Sequence, residues 1–175
     1  MQATGGAGTA AGAEALVSAF PDEILGTASF RGQTAVSVKP GRILDLLRFL
    51  KSPAGGGYDY LVDVCGADYL GKDEPERFAV VYHLHSRTLN RWIRIRAFVP
   101  EDAPEIDSAH EIYLAAPWAE REAYDLYGIR FRGHPDLRRI LMPDDYPGHP
   151  LRKDYPLKGR GERDHFPRYR PEAEA

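Results

Sequence analysis

Cysteine is nearly absent from this chain. Cys65 stands alone, and that scarcity settles several questions. No disulfide can close within the chain, which removes the stapled secreted scaffold. An iron–sulfur cluster usually takes four thiolates, so this chain cannot hold one by itself. Zinc sites built on cysteine pairs fall for the same reason. Long apolar runs are missing too, since no stretch reaches the ~18–20 residues needed to cross a bilayer. Basic residues are absent until Arg31, and residues 1–13 are rich in Gly, Ala and Thr. A secretory leader needs a charged start before an apolar stretch, and an organellar transit segment is rich in arginine. The expectation is a protein of a reducing cytoplasm, with a flexible N-terminus over residues 1–12. A phosphate loop, a dinucleotide-binding glycine pattern and a nucleophile elbow are all lacking. The Gly55-Gly56-Gly57 run is not followed by Gly-Lys-Ser/Thr, so it reads as a linker.

Hydrophobic residues, by contrast, make up 43% of the 175 residues, enough for a folded core. Charge is unevenly spread. Residues 130–175 carry 11 Lys/Arg against 8 Asp/Glu, while residues 1–129 carry 12 against 18. This fits a basic appendage that meets an acidic protein surface. It is too weak for a nucleic-acid footprint, which needs a concentrated basic face.

Patterning predicts an α+β fold: a small antiparallel or mixed sheet with covering helices, spanning residues 13–129. A short helical run from Ala13 to Phe20 is stopped by Pro21. Two strands, Ile24–Arg31 and Thr34–Val38, flank a tight turn. Pro40 opens a helix whose apolar face is Ile43, Leu44, Leu46, Leu47 and Leu50, ended by Pro53 and the glycines. Strands follow over Tyr58–Tyr69, Arg77–His85 and Arg91–Val99, as an antiparallel meander with one wet and one buried face. Ser108 is expected to cap a short helix with Glu111 three residues on. Ala116-Pro117 starts another helix, which runs to Tyr127 and stops at Gly128. Residues 130–175 then hold 7 of the 14 prolines and show no period. They read as an extended arm that folds against a partner.

Several residues could carry chemistry. His83 and His85 share one face of a strand, as a metal site would require, but no third or fourth ligand is evident along the chain. They read as polar-face histidines. His134 and His149 each precede a proline, with Asp136 and Asp154 close by. A general base is one reading of them, and imidazoles that fix turns by bonding backbone is the preferred one. Glu120, Arg121 and Glu122 lie on the Pro117 helix, with Asp125 three residues beyond Glu122. A paired-carboxylate site is conceivable, but pairing with arm arginines such as Arg138 or Arg139 is the better expectation. A free-standing metal hydrolase using His83, His85 and His134 is the remaining enzyme reading. No catalytic, cofactor-binding or metal residue is assigned on this chain.

The run Glu120-Arg121-Glu122-Ala123-Tyr124-Asp125-Leu126-Tyr127-Gly128-Ile129, then His134-Pro135-Asp136-Leu137-Arg138-Arg139-Ile140-Leu141, resembles the defining motif of the thirty-kilodalton subunit family of respiratory complex I. Gly148-His149-Pro150-Leu151-Arg152-Lys153-Asp154-Tyr155-Pro156-Leu157 resembles that family's downstream block. Together they cover nearly forty residues at fixed spacing. The resemblance implies a non-catalytic core subunit of the peripheral arm of a proton-translocating NADH:quinone oxidoreductase. It implies an α+β domain with a C-terminal arm wrapping the forty-nine-kilodalton, D-type subunit, and neighbouring iron–sulfur subunits as further partners. It implies no cofactor on this chain, with FMN and iron–sulfur clusters on other subunits. It also implies a hetero-oligomer on the cytoplasmic side of a bacterial inner membrane. The interface residues it marks are Glu120, Arg121, Glu122, Asp125, Gly128, His134, Asp136, Arg138, Arg139, His149, Arg152, Lys153 and Asp154. Equivalent subunits of energy-converting membrane-bound hydrogenases and of ferredoxin- or F420-linked reductases are the alternative.

Overall fold

The computed structural model describes residues 6–162, with side chains described from residue 12 onward. A five-stranded sheet forms the centre, in the order β1 (Ile24–Phe30), β2 (Gln33–Val38), β5 (Arg91–Val99), β4 (Phe78–Ser86), β3 (Tyr60–Asp68). The strands predicted from alternation are all present to within a few residues. β3, β4 and β5 form the expected antiparallel meander. β2 then joins β5 in parallel, Val36 opposite Ile95, which makes the sheet mixed.

One face of the sheet is apolar throughout. Val36 and Val38, Val64, Val80, Tyr82 and Leu84, and Ile93, Ile95 and Ala97 are all in the core. Period-2 alternation puts these residues on one side. α2 (Ile43–Lys51) covers them with Ile43, Leu46, Leu47 and Leu50, each fully buried. Burying four such side chains stabilises by roughly 6–12 kcal/mol before chain entropy is counted. Arg48 and Lys51 lie in its last turn, where they complement the helix dipole.

α1 (Gly6–Ala19) corrects the expectation of a flexible N-terminus over residues 1–12. The helix starts seven residues before the predicted Ala13. A run of Ala and Gly carries no amphipathic signal, yet alanine is the best helix former. Burial of Ala13 and Leu16 in the core fixes the helix to the sheet. Residues 1–5 of that expectation lie outside the described residues.

A second, smaller unit follows. β6 (Glu105–Asp107) and β7 (Arg130–Arg132) pair in parallel, and α3 (Ala116–Tyr127) is their crossover. Ile106, Ile129 and Phe131 are buried in the main core. The predicted boundary at 129/130 therefore cuts off a strand, and the domain continues to Arg132. Strands of three residues are too short to show a period. The helix expected at Ser108 does not form. The Ser108 hydroxyl turns to the buried Glu120 carboxylate instead, at 2.5 Å. α3 itself matches the expectation at both ends. Gly128 takes a left-handed φ of 74°, and its N–H donates to the Tyr124 carbonyl as a C-cap. α3 packs on β3, where the Tyr127 ring lies so close to Gly66 that a Cβ there has no room.

Beyond Arg132 the described chain has no further helix or strand, in keeping with its prolines. None of residues 133–162 is fully buried. Among the described residues, no helix is long and apolar enough to cross a membrane.

Candidate functional site

The site is the strap formed by residues 133–162 together with α3, which anchors it. Asp125 is the central anchor. It is fully buried near the end of α3, and its carboxylate accepts four hydrogen bonds. Three come from backbone N–H groups of the strap: Ile140 at 3.0 Å, Leu141 at 2.8 Å and Met142 at 2.8 Å. The fourth comes from Arg139 Nη1 at 2.7 Å. Burial works against the charge, but the Met142 and Leu141 N–H groups, the Arg139 guanidinium and the Ile140 N–H outweigh it. They hold the Asp125 carboxyl below the usual carboxylate range.

Arg139 also donates to the carbonyls of Asp125, Gly148 and Tyr146, so its planar fork ties three chain segments together. Arg121 does the same one turn earlier on the same face of α3. Its Nε donates to the Arg138 carbonyl at 3.0 Å and its Nη2 to the Arg139 carbonyl at 2.8 Å, and it lies against the Trp118 ring. Glu120 faces inward, accepting from Ser108 Oγ and from the Ala109 N–H at 2.7 Å. Burial pushes its pKa up, against the lowering effect of those two donors.

The two histidines of the motif fix turns, as expected. His134 Nε2 donates to the Pro117 carbonyl at 3.0 Å, while its Nδ1 accepts the Asp136 N–H at 3.0 Å. His149 Nδ1 donates to the Asp125 carbonyl at 2.9 Å. Burial pushes the His149 pKa down, so the ring is neutral at pH 7. Leu151 N–H then bonds the Leu126 carbonyl, and Arg152 Nε bonds the Tyr127 carbonyl at 2.7 Å. These satisfy carbonyls that the end of a helix leaves without partners. At Gly128 a Cβ would sit 2.5 Å from His149 Nε2 and 2.6 Å from Arg152 Nη2. Both the left-handed φ and this close approach require glycine there.

A second anchor is invisible in the sequence pattern. Asp68, at the end of β3, accepts the Lys153 N–H at 2.8 Å and two bonds from Arg77. Arg77 also pairs with Asp154 at 2.8 Å and with Glu101. Asp68 and Lys153 are 85 positions apart, so local spacing carries no signal of the tie. The pairing expected between helix carboxylates and arm arginines is present at Asp125 and Arg139. Arg138 instead pairs with Asp136 in solvent, and Glu122 is exposed. The conceivable carboxylate pair of Glu122 and Asp125 is corrected: Asp125 is buried and bonded to the strap, while Glu122 is exposed. Arg152, expected to reach a partner, is half-buried against its own helix end and the Phe78 ring.

The hydrolase reading loses its triad. His85 stacks on Trp92, with ring centres 4.5 Å apart, and bonds Asn90; His134 bonds Pro117; His83 accepts from Arg94. Just before α3, on it and along the strap, several large apolar side chains face solvent. Leu114 is 94% exposed, Trp118 65%, Leu141 60% and Leu157 98%, with Ile140 and Leu151 also exposed.

Fold and site together define a class: a small α+β domain whose charged C-terminal motif clamps its own strap and turns apolar side chains outward. Residues 36–161 match the family described as respiratory-chain NADH dehydrogenase, 30 Kd subunit, and the chain belongs to that family. Among curated proteins it is 50% identical over 142 residues to the C subunit of NADH-quinone oxidoreductase from Geobacter metallireducens, covering 81% of this chain and 86% of that one. It is 49% identical over 144 residues to the C subunit of the same enzyme from Roseiflexus sp. (strain RS-1), covering 82% of each. Among solved structures it resembles a trypsin-resistant fragment (1–134) of Nqo5. That likeness has a TM-score of 0.61 and 33% identity, over 71% of this chain and 95% of the fragment. A chain of an archaeal membrane-bound sulfane sulfur reductase shares the fold at a TM-score of 0.70 and 20% identity, covering 91% of this chain and 93% of that one.

Proposed function

We propose that this chain is a non-catalytic core subunit of the peripheral arm of a proton-translocating NADH:quinone oxidoreductase. It is needed for assembly, and through assembly for electron transfer from NADH to quinone by the whole complex. The observation that carries the reading is the strap. Its backbone is held to the domain by buried charge while Leu141 and Leu157 on it stand in solvent, as do Leu114 and Trp118 at the start of α3. Scattered exposed apolar residues are ordinary. A set that includes Trp118 beside Arg121 has the composition of an interface centre. Family membership and the names of the relatives support NADH and quinone as the substrates of the complex.

The partner of this surface is the forty-nine-kilodalton, D-type subunit, with iron–sulfur subunits alongside. FMN and the clusters lie on other subunits of the complex, and the assembly sits on the cytoplasmic side of the inner membrane. A hydrogenase-type parent complex is the second reading, and only a fold likeness favours it. The test is complementation of a strain lacking this chain. The full chain restores NADH:quinone activity in membranes. Trp118→Ala and Leu141→Ala together reduce assembled complex while leaving the isolated chain's stability within about 0.5 kcal/mol. A hot-spot aromatic is worth about 2–4 kcal/mol at an interface. Full assembly with both side chains removed would exclude this surface.

A further inference from the structure

We propose that Asp63, Cys65 and His83 form a binding site for a zinc-class divalent cation on the helix-free face of the sheet. The antiparallel register puts Asp63 directly opposite His83, with Cys65 two residues along β3. Alternation then places all three on one face, opposite to Val64, Tyr82 and Leu84 in the core. Register alone unites them, since the sequence separates Cys65 from His83 by 18 positions. A bulge between Leu61 and Asp63 lies just ahead of the cluster, and bulges commonly re-aim side chains beside sites. The ligand atoms lie within 4.8 Å of one another. Asp63 is about half exposed and His83 28% exposed, so an ion can enter from solvent.

The donor set selects the ion. One sulfur, one imidazole nitrogen and one carboxylate oxygen suit zinc and its neighbours better than magnesium or calcium, which prefer oxygen. Three protein ligands leave a fourth tetrahedral position for water. His83 Nδ1 faces Asp63 Oδ2 at 3.9 Å, while its Nε2 accepts from Arg94 Nε at 2.8 Å. In the metal-free chain the imidazole proton is therefore on Nδ1. Metal entry moves that proton to Nε2 and turns the Arg94 guanidinium toward Gln33 Oε1, which it already touches at 3.3 Å. The thiol of Cys65, which lies beside Asp63, gives its proton to water as the metal–sulfur bond forms. Arg94 places a positive charge beside the site and sets its affinity well below that of a buried four-ligand centre. Its ligands all come from β3 and β4, so it takes none from the strap or from a partner subunit.

Cobalt titration of the reduced full chain under anaerobic conditions tests it. One Co2+ per chain is expected, with a thiolate-to-cobalt charge-transfer band that Zn2+ abolishes by displacement. Cys65→Ser removes the band. His83→Ala and Asp63→Asn each weaken binding about tenfold or more, with circular dichroism unchanged. Arg94→Gln, which frees the imidazole nitrogen, tightens it. If His83→Ala unfolds the chain, His83→Gln takes its place. Absence of the charge-transfer band, or unchanged affinity in both the His83 and Asp63 variants, overturns the site.

Discussion

Asp125→Asn is the most informative single change in the strap. The amide keeps the shape of the carboxylate but loses its charge and half its acceptor capacity. Arg139, 15% exposed, is then left beside a neutral group, and the N–H groups of Ile140, Leu141 and Met142 compete for one oxygen. Breaking a buried ion pair by removing one partner costs about 3–5 kcal/mol. For a chain of this size that lowers Tm by about 6–20 °C. Urea unfolding gives the free energy, and hydrogen exchange locates it: the amides of residues 140–142 and 151 lose protection before those of β4. The folded-state pKa of Asp125 is depressed. Its stabilisation is therefore complete above the unfolded value of about 3.9 and is lost as pH falls through the lower folded value. Parent and variant must converge in stability as the solution is acidified through that range. A loss below about 1 kcal/mol at pH 7, or strap amides as protected as in the parent, would refute the clamp.

Gly128→Ala is expected to cost at least about 1–2 kcal/mol from the left-handed φ alone, with more from the collision with His149 and Arg152; thermal unfolding measures it. Glu120→Gln tests the buried carboxylate in the opposite pH direction. Burial raises the folded pKa of Glu120, so the parent loses stability as pH rises from the unfolded value of about 4.3 to the folded one. Urea midpoints should show the Gln variant gaining on the parent across that window, and a difference that stays flat from pH 4 to 8 would contradict the assignment. Arg77→Met removes the partner of Asp68 and Asp154, and loosens residues 151–154 in hydrogen exchange with little effect on residues 138–142. Equal loosening of both segments would show that the two anchors are not independent.

What the sequence makes legible follows the length and period of each element. α2 carries a wide apolar face, and β3 to β5 are nine-residue runs rich in β-formers, so their positions can be read directly. α3 is framed by Pro117 and Gly128, whose backbone constraints are local. β6 and β7 are invisible because three residues hold no period, and their pairing depends on a helix between them. Ser108 with Glu111 has the spacing of a capping box, but the buried Glu120 competes for the same hydroxyl and wins. Charge and spacing suffice to anticipate the Asp125–Arg139 pair. They do not suffice for the Asp68–Arg77–Lys153 tie, because residues so far apart meet only in the folded chain. The same applies to Asp63 and Cys65, which the register of β3 against β4 brings to His83.

The composition of the arm points to a partner, and the structure sharpens that expectation. The strap's polar groups hold it to its own domain, which frees its apolar side chains for a neighbour. Purification of the tagged full chain from its host membranes in mild detergent, followed by mass spectrometry of what accompanies it, tests this most directly. The expected result is the D-type subunit, iron–sulfur subunits and an NADH-oxidising flavoprotein in equal stoichiometry with this chain. Recovery of the chain alone, or with hydrogenase subunits in place of the flavoprotein, would contradict it.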